Sequence, residues 1–172
     1  MNANDSKMGE AHSVDQLLSV ARAIVLNVKN CWLVTVAPSG EANARIVAPI
    51  AGVPCESEWT AWVLTSAGSR KVDEIKRDDR VTLGYQHDPD GAYVVLAGRA
   101  SIVDDRPEIS KRWNDSWDRV FPVGAADADA VFIKVVADRI ELFSLASGVA
   151  PAPFCKRCAA LARDASGGWR AA

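Results

Sequence analysis

From Val14 onward the chain repeats apolar residues at helical spacing. Val14, Leu17, Leu18, Ala21, Ile24, Val25 and Val28 form one stripe, which predicts an amphipathic helix. Ser13 precedes the stripe and Gln16 lies three residues further on, the spacing of a capping box. The period then shortens. Cys31 to Ala37 is rich in β-formers, and Pro38-Ser39-Gly40 predicts a turn. Ala42 to Ile50 alternates, with Ala42, Ala44, Ile46, Ala48 and Ile50 on one face and Asn43, Arg45, Val47 and Pro49 on the other. Trp59 to Thr65 predicts a third strand, and Val72 and Ile75 mark a short helix over Arg70 to Lys76. Val81 to Tyr85 and Ala92 to Val103 predict two strands joined by a hairpin loop, Gln86 to Gly91. Asp105 to Asp118 reads as a helix with Pro107 near its start. Val131 to Val136 and Arg139 to Ser144 read as the final strands, turning at Ala137-Asp138.

Strands in hairpins, helices at the ends and no βαβ alternation predict an α+β fold that is mainly β, an antiparallel barrel of six strands flanked by helices. Residues 1–12 read as a flexible N-terminus and 13–145 as the domain. Residues 146–172, with Pro151, Pro153, Gly167 and Gly168, read as a C-terminal appendage. A chain of 172 residues, 49% of them hydrophobic, is long enough for one domain with its own core. The formal charge of -2, with Lys and Arg spread along the chain, argues against a nucleic-acid groove. No apolar run approaches the roughly 20 residues of a membrane-spanning helix. Met1 to Glu10 has no apolar signal core, so a cytoplasmic protein is expected, with its four cysteines reduced.

Cys31, in a strand-like run, reads as a small buried hydrophobe. Cys155 and Cys158 form a lone C-x-x-C followed by Ala159-Ala160-Leu161-Ala162, which reads as a turn of helix. His12, His87, Cys31 and Cys55 supply no spaced pair to complete a zinc site, so no metal is expected. His87, in a turn, is expected to face solvent.

The stretch that carries chemistry is Thr65-Ser66-Ala67-Gly68-Ser69-Arg70-Lys71, a strand end, a glycine-bearing turn and a helix start. A helix N-terminus presents unpaired N–H groups and a positive partial charge. Two hydroxyls, a guanidinium and an ammonium placed there suit a phosphate dianion. On these seven residues alone a plain surface helix is the simpler reading, with Ser69 as N-cap and Arg70–Glu74 as an i,i+4 ion pair.

The order of elements and motifs shifts that balance. A strand arginine, a T-x-x-x-S-R-K helix start, a Gly98-Arg99-Ala100 step late in a long strand, and Trp113-Asn114-Asp115-Ser116-Trp117 before Phe121-Pro122-Val123-Gly124 follow one another. Over residues 14 to 145 this order resembles the FMN-binding split-barrel superfamily, and within it the general-stress relatives of pyridoxamine 5′-phosphate oxidase. The resemblance implies a six-stranded antiparallel split β-barrel that binds FMN and forms a homodimer with flavin sites at the subunit interface. It implies that Arg45, Ile46 and Val47 approach the flavin phosphate and ring. Thr65, Ser69, Arg70 and Lys71 would clamp the phosphate, with Leu64 and Ser66 adjoining the cofactor. Trp113, in the later segment, would lie against the flavin of the partner subunit.

The resemblance has limits. The oxidase's C-terminal segment with arginine and histidine, which grips the substrate phosphate, has no counterpart in Ser166 to Ala172. Tyr93 stands where the oxidase has a glutamine, and Phe143 where a tryptophan is expected. The oxidase's own substrate is therefore not expected here. The expectation is an FMN-dependent oxidoreductase acting on a small molecule, with NAD(P)H as candidate electron donor. The alternative is a non-catalytic flavin-binding stress protein, a sensor or cofactor holder. No side chain stands out as a general acid or base, so no catalytic residue is assigned. A haem or deazaflavin split barrel ranks last, with only His12 and His87 as axial candidates for haem.

Overall fold

The computed structural model describes residues 12–50, 59–149 and 158–172. Helix α1 (Val14–Asn27) begins at the predicted capping box: Ser13 Oγ accepts from the Gln16 N–H, and Gln16 Oε1 accepts from the Ser13 N–H. Its Leu17, Ala21, Ile24 and Val25 are buried, as the stripe requires. The strands are β1 (Cys31–Val36), β2 (Ala42–Val47), β3 (Thr60–Ser66), β4 (Arg80–His87), β5 (Ala92–Val103), β6 (Ala130–Ser144), β7 (Ala159–Arg163) and β8 (Trp169–Ala171). Helices α2 (Arg70–Arg77) and α3 (Arg106–Arg112) complete the fold.

All pairings are antiparallel, in the order β2-β1-β4-β5-β6-β7-β8, with β3 also on β6. Six of the strands wrap into the expected split barrel, β2-β1-β4-β5-β6-β3. The sheet does not close. Between β2 and β3 the described residues show one isolated bridge, Pro49 to Val63, and the Ile50 N–H to Trp62 carbonyl bond of 2.8 Å. Proline cannot donate to a ladder, which explains why β2 ends at Val47 rather than Ile50. The barrel interior holds Leu33, Ala61, Val63, Leu83, Val94, Leu96, Ile133 and Val135, covered by α1.

Four expectations need correction. Ala137-Asp138 is not a hairpin, because β6 is one strand of 15 residues. Its register on β5 slips there, from Gly98↔Ala137 to Ala97↔Arg139, leaving Asp138 as a bulge. Gly98 is required at that slip: a Cβ would collide with the Val136 carbonyl oxygen and lie 2.8 Å from the Ala137 Cα. The helix expected over Asp105 to Asp118 stops at Arg112, and a 3-10 turn, Asp115–Trp117, follows after Asn114 caps it.

His87 is the third. It ends β4 with its ring partly buried, Nδ1 lying 3.0 Å from Asp90 Oδ2. The fourth concerns the tail. Ala159-Ala160-Leu161-Ala162 is strand β7, because the C-terminal half of β6 offers a free edge beyond β3. Asp164 closes the β7–β8 hairpin, its side chain accepting from the N–H groups of Ser166 and Gly168. Cys155 lies outside the described residues, and Cys158 stands just before β7 with its sulfur 3.6 Å from Glu141 Oε2.

Candidate anion site at the start of α2

The turn from β3 into α2 is tied down by an acidic residue of the segment before β6. The Ala67 N–H donates to the Asp129 carbonyl at 2.7 Å and the Gly68 N–H to Asp129 Oδ1 at 3.3 Å. The Ser66 hydroxyl donates to the same carboxylate, and this bond above all holds Asp129 below its usual range. Ser66 is therefore occupied within the turn. Ser69 stands at the N-cap position but makes no side-chain cap bond; its hydroxyl lies 3.4 Å from that of Thr65. The N–H groups of Arg70 and Lys71 have no acceptor among the described residues. An uncapped helix start with two hydroxyls beside it is a place for an anion.

Behind the turn lies a buried network that the sequence pattern did not single out. Glu74, one turn into α2 and 2% exposed, points into the end of the barrel. It accepts from Thr35 Oγ1 at 2.5 Å, Asn43 Nδ2 at 2.5 Å and Arg45 Nη2 at 2.7 Å. Arg70 Nε lies 3.4 Å away, so the i,i+4 pair of the simpler reading is present, with Arg70 still 71% exposed. Arg45 is held further by bonds to Thr35 Oγ1 at 2.5 Å and the Asn43 carbonyl at 3.0 Å. Thr35 and Asn43 face each other across β1 and β2, and Leu33 faces Arg45. Strand register therefore places Thr35, Asn43 and Arg45 together on the inner face. Burial works against the Glu74 charge, but the bonds from Thr35, Asn43 and Arg45 outweigh it and hold the carboxyl below its ordinary range.

Lys71 completes the site. Burial first, and the neighbouring Arg45 second, push its ammonium below the ordinary lysine range. No carboxylate or hydrogen-bond partner meets it among the described residues. The cluster of Arg45, Arg70, Lys71 and Glu74 thus carries two net positive charges at an uncapped helix start.

The structure brings together Arg45, Thr65, Ser69, Arg70 and Lys71. Ser66 lies in the same turn but is taken up by Asp129, and Ile46, Val47, Leu64 and Trp113 lie elsewhere in the chain. Val47 is buried in the barrel core, whereas Ile46, next to it on the alternating strand, faces outward and is 62% exposed. Leu64 packs on the opposite face of β3, in a second small core with Trp62, Ile109 and Phe132. Trp113 joins that second core, edge-on to Trp117 at 5.5 Å, its indole N–H donating to Asp118 at 2.9 Å. With Trp117, Arg112, Tyr85, Pro49 and Ile50 it lines a cavity of about 570 Å³. Arg112 lies over the Trp62 ring at 3.8 Å, a cation–π contact that fixes α3 on β3. Tyr93 and Phe143, the two departures on neighbouring strands, stack at 5.7 Å at the far end of β5 and β6. Among the described residues no group of three or more His, Cys, Asp or Glu side chains could hold a metal, and no helix is long and apolar enough to cross a membrane.

Comparison with known proteins agrees with this architecture. A protein related to general stress protein 26 from Clostridium acetobutylicum superposes with a TM-score of 0.67 at 20% identity, covering 77% of this chain and 91% of that one. A pyridoxamine 5′-phosphate oxidase-related, FMN-binding protein from Nostoc punctiforme superposes with a TM-score of 0.65 at 12% identity, covering 95% and 98%. A haem-binding protein from Mycobacterium smegmatis does so with a TM-score of 0.57 at 17% identity, covering 78% and 55%. At such identities these likenesses speak for the fold alone. No protein of curated function matches the sequence. The family model described as pyridoxamine 5′-phosphate oxidase like matches residues 16–153, and the chain belongs to that family.

Proposed function

We propose that the protein binds FMN, with the phosphate held at the start of α2, and serves as an FMN-dependent oxidoreductase on a small molecule. The observation that carries this reading is the Lys71 ammonium, which meets no carboxylate among the described residues, at a helix start where the N–H groups of Arg70 and Lys71 have no acceptor among them. A phosphate monoester near neutral pH brings close to two negative charges and several acceptor oxygens. That matches the two net positive charges and the donors of Thr65, Ser69, Arg70 and Lys71. The bound flavin would supply the electron chemistry, taking up and passing on hydride equivalents. The chain's own part is to anchor the phosphate, exclude water from the ring and fix its orientation.

The homodimer belongs to the same proposal. Trp32 and Ile46 sit opposite each other on β1 and β2, 48% and 62% exposed, with Ala44 and Ala48 exposed beside Ile46. An outward apolar patch of this kind suits a subunit contact. With flavin sites at such a contact, Ile46 and Trp113 could meet a cofactor from outside the protomer that anchors its phosphate.

The test is the visible spectrum of purified protein before and after incubation with FMN and dialysis, for wild type and for Arg70→Ala/Lys71→Ala. Wild type should retain flavin bands. The double variant should stay folded and lose at least about 100-fold in FMN affinity, since each desolvated charged contact is worth about 2–5 kcal/mol. Unchanged affinity in the folded double variant would sink the assignment. Bleaching of the bands by NADH or NADPH would support the oxidoreductase. Retained flavin that neither reduces would favour the cofactor holder suggested by likeness to general stress proteins, and a Soret band would favour haem.

A further inference from the structure

We infer that Glu74 is the resident counter-anion of the phosphate cradle: it holds Arg45 and Arg70 in the absence of phosphate and sets the net charge that an incoming phosphate meets. The inference rests on the FMN reading above and adds a residue to it. Its basis is geometric. Both Glu74 oxygens are used, Oε2 by Thr35 and Arg45, Oε1 by Asn43 and, at longer range, Arg70. Among the described residues the carboxylate is met by the cradle cations Arg45 and Arg70 and by Thr35 and Asn43 of the β1–β2 face, so its charge acts first on the cradle.

A structural ion pair would not need this arrangement. A buried pair contributes little net stability compared with an apolar packing of the same shape. Here two cations, Arg45 and Arg70, converge on one carboxylate, and Lys71 is left over. The carboxylate and a phosphate are then alternative counter-charges for the same cations. Linkage makes the consequence specific: what stabilises the cationic cluster in the free protein weakens the phosphate that would do so in the complex. Glu74 is on this account a positioning residue that tunes affinity for the phosphate end of the flavin and leaves the ring end untouched.

The experiment uses the full chain, wild type and Glu74→Gln, at one ionic strength. Thermal melting is followed with chloride or inorganic phosphate, and FMN and riboflavin are titrated by flavin fluorescence. The glutamine variant should melt lower in chloride and gain more than wild type from phosphate. It should bind FMN about tenfold tighter, with riboflavin unchanged. FMN affinity that is unchanged or weaker in the variant overturns the inference and leaves Glu74 a structural pair. If the variant folds only with anion present, unfolding on removal of phosphate and recovery on its return support the inference; failure to fold in either salt overturns it. If wild type itself binds FMN no better than riboflavin, the cradle reading fails first, and the inference falls with it.

Discussion

Lys71 and Glu74 are one helical turn apart on α2, and their surroundings treat them in opposite ways. Glu74 is saturated with donors, whereas Lys71 meets none of the acceptors an ammonium seeks among the described residues. Because the folded carboxyl lies below its ordinary value, Glu74 contributes stability that is present above the unfolded carboxylate range. That stability is lost as pH falls through the depressed folded value. The melting temperature of wild type should therefore drop more steeply than that of Glu74→Gln between about pH 5 and 3. Parallel curves would contradict the network. Cys31 offers a second check at this scale. Burial pushes its thiol up to about 12 against a weaker opposing bond to Tyr85, so mapped alkylation of native protein should spare Cys31 until unfolding. Thr65, Ser69, Arg70 and Lys71 are legible in the sequence because they are nearly contiguous and of telling types. Thr35, Asn43 and Glu74 are not, since their meeting depends on the register of β1 on β2 and on how α2 seats against both. The inward polar face of β2, Asn43 with Arg45, was the available signal that a buried acid must lie opposite.

Among the elements, β6 does the most to shape the molecule. One edge pairs with β5 along its length, while the other pairs first with β3 and then with β7. Alternation and turn residues predicted two strands where one bulged strand runs through, because a bulge and a tight turn look alike in sequence. Gly98 was legible as part of a motif, but its physical role shows only in the slip it permits. Gly98→Ala should cost about 3 kcal/mol by overpacking against the β6 backbone. For a chain of this size that corresponds to a melting temperature lower by about 6–12 °C. A melt within about 2 °C of wild type would contradict the close approach. The tail departs from its expected helix for a different reason: alanine favours helix locally, and the free edge of β6 overrides that preference. Trp169 of β8 meets Trp59 edge-on at 6.3 Å and lies under Arg163, so the tail covers the core rather than trailing from it.

At the scale of the whole molecule, the split between β2 and β3 leaves the cradle at one end of an open seam and an apolar face on β1 and β2. Helix and strand types, the barrel class and α1's capping box could be read from periodicity and turn chemistry. The placement of Ile46 outside and Arg45 inside could not, because alternation gives two faces without saying which is buried. If the outer face joins two copies, Trp32→Lys/Ile46→Lys should convert a dimer to a monomer in light scattering at micromolar concentration, with an unchanged far-ultraviolet spectrum. A wild-type monomer, or a variant that stays dimeric, would remove that face from the interface.

The central claim is that the start of α2 is built for the phosphate of a flavin. Calorimetric titration of wild type with FMN and with riboflavin tests it most directly, because the two ligands differ only in that group. The cradle predicts FMN binding at least about 100-fold tighter than riboflavin, the worth of a desolvated charged contact. Equal affinities would contradict it.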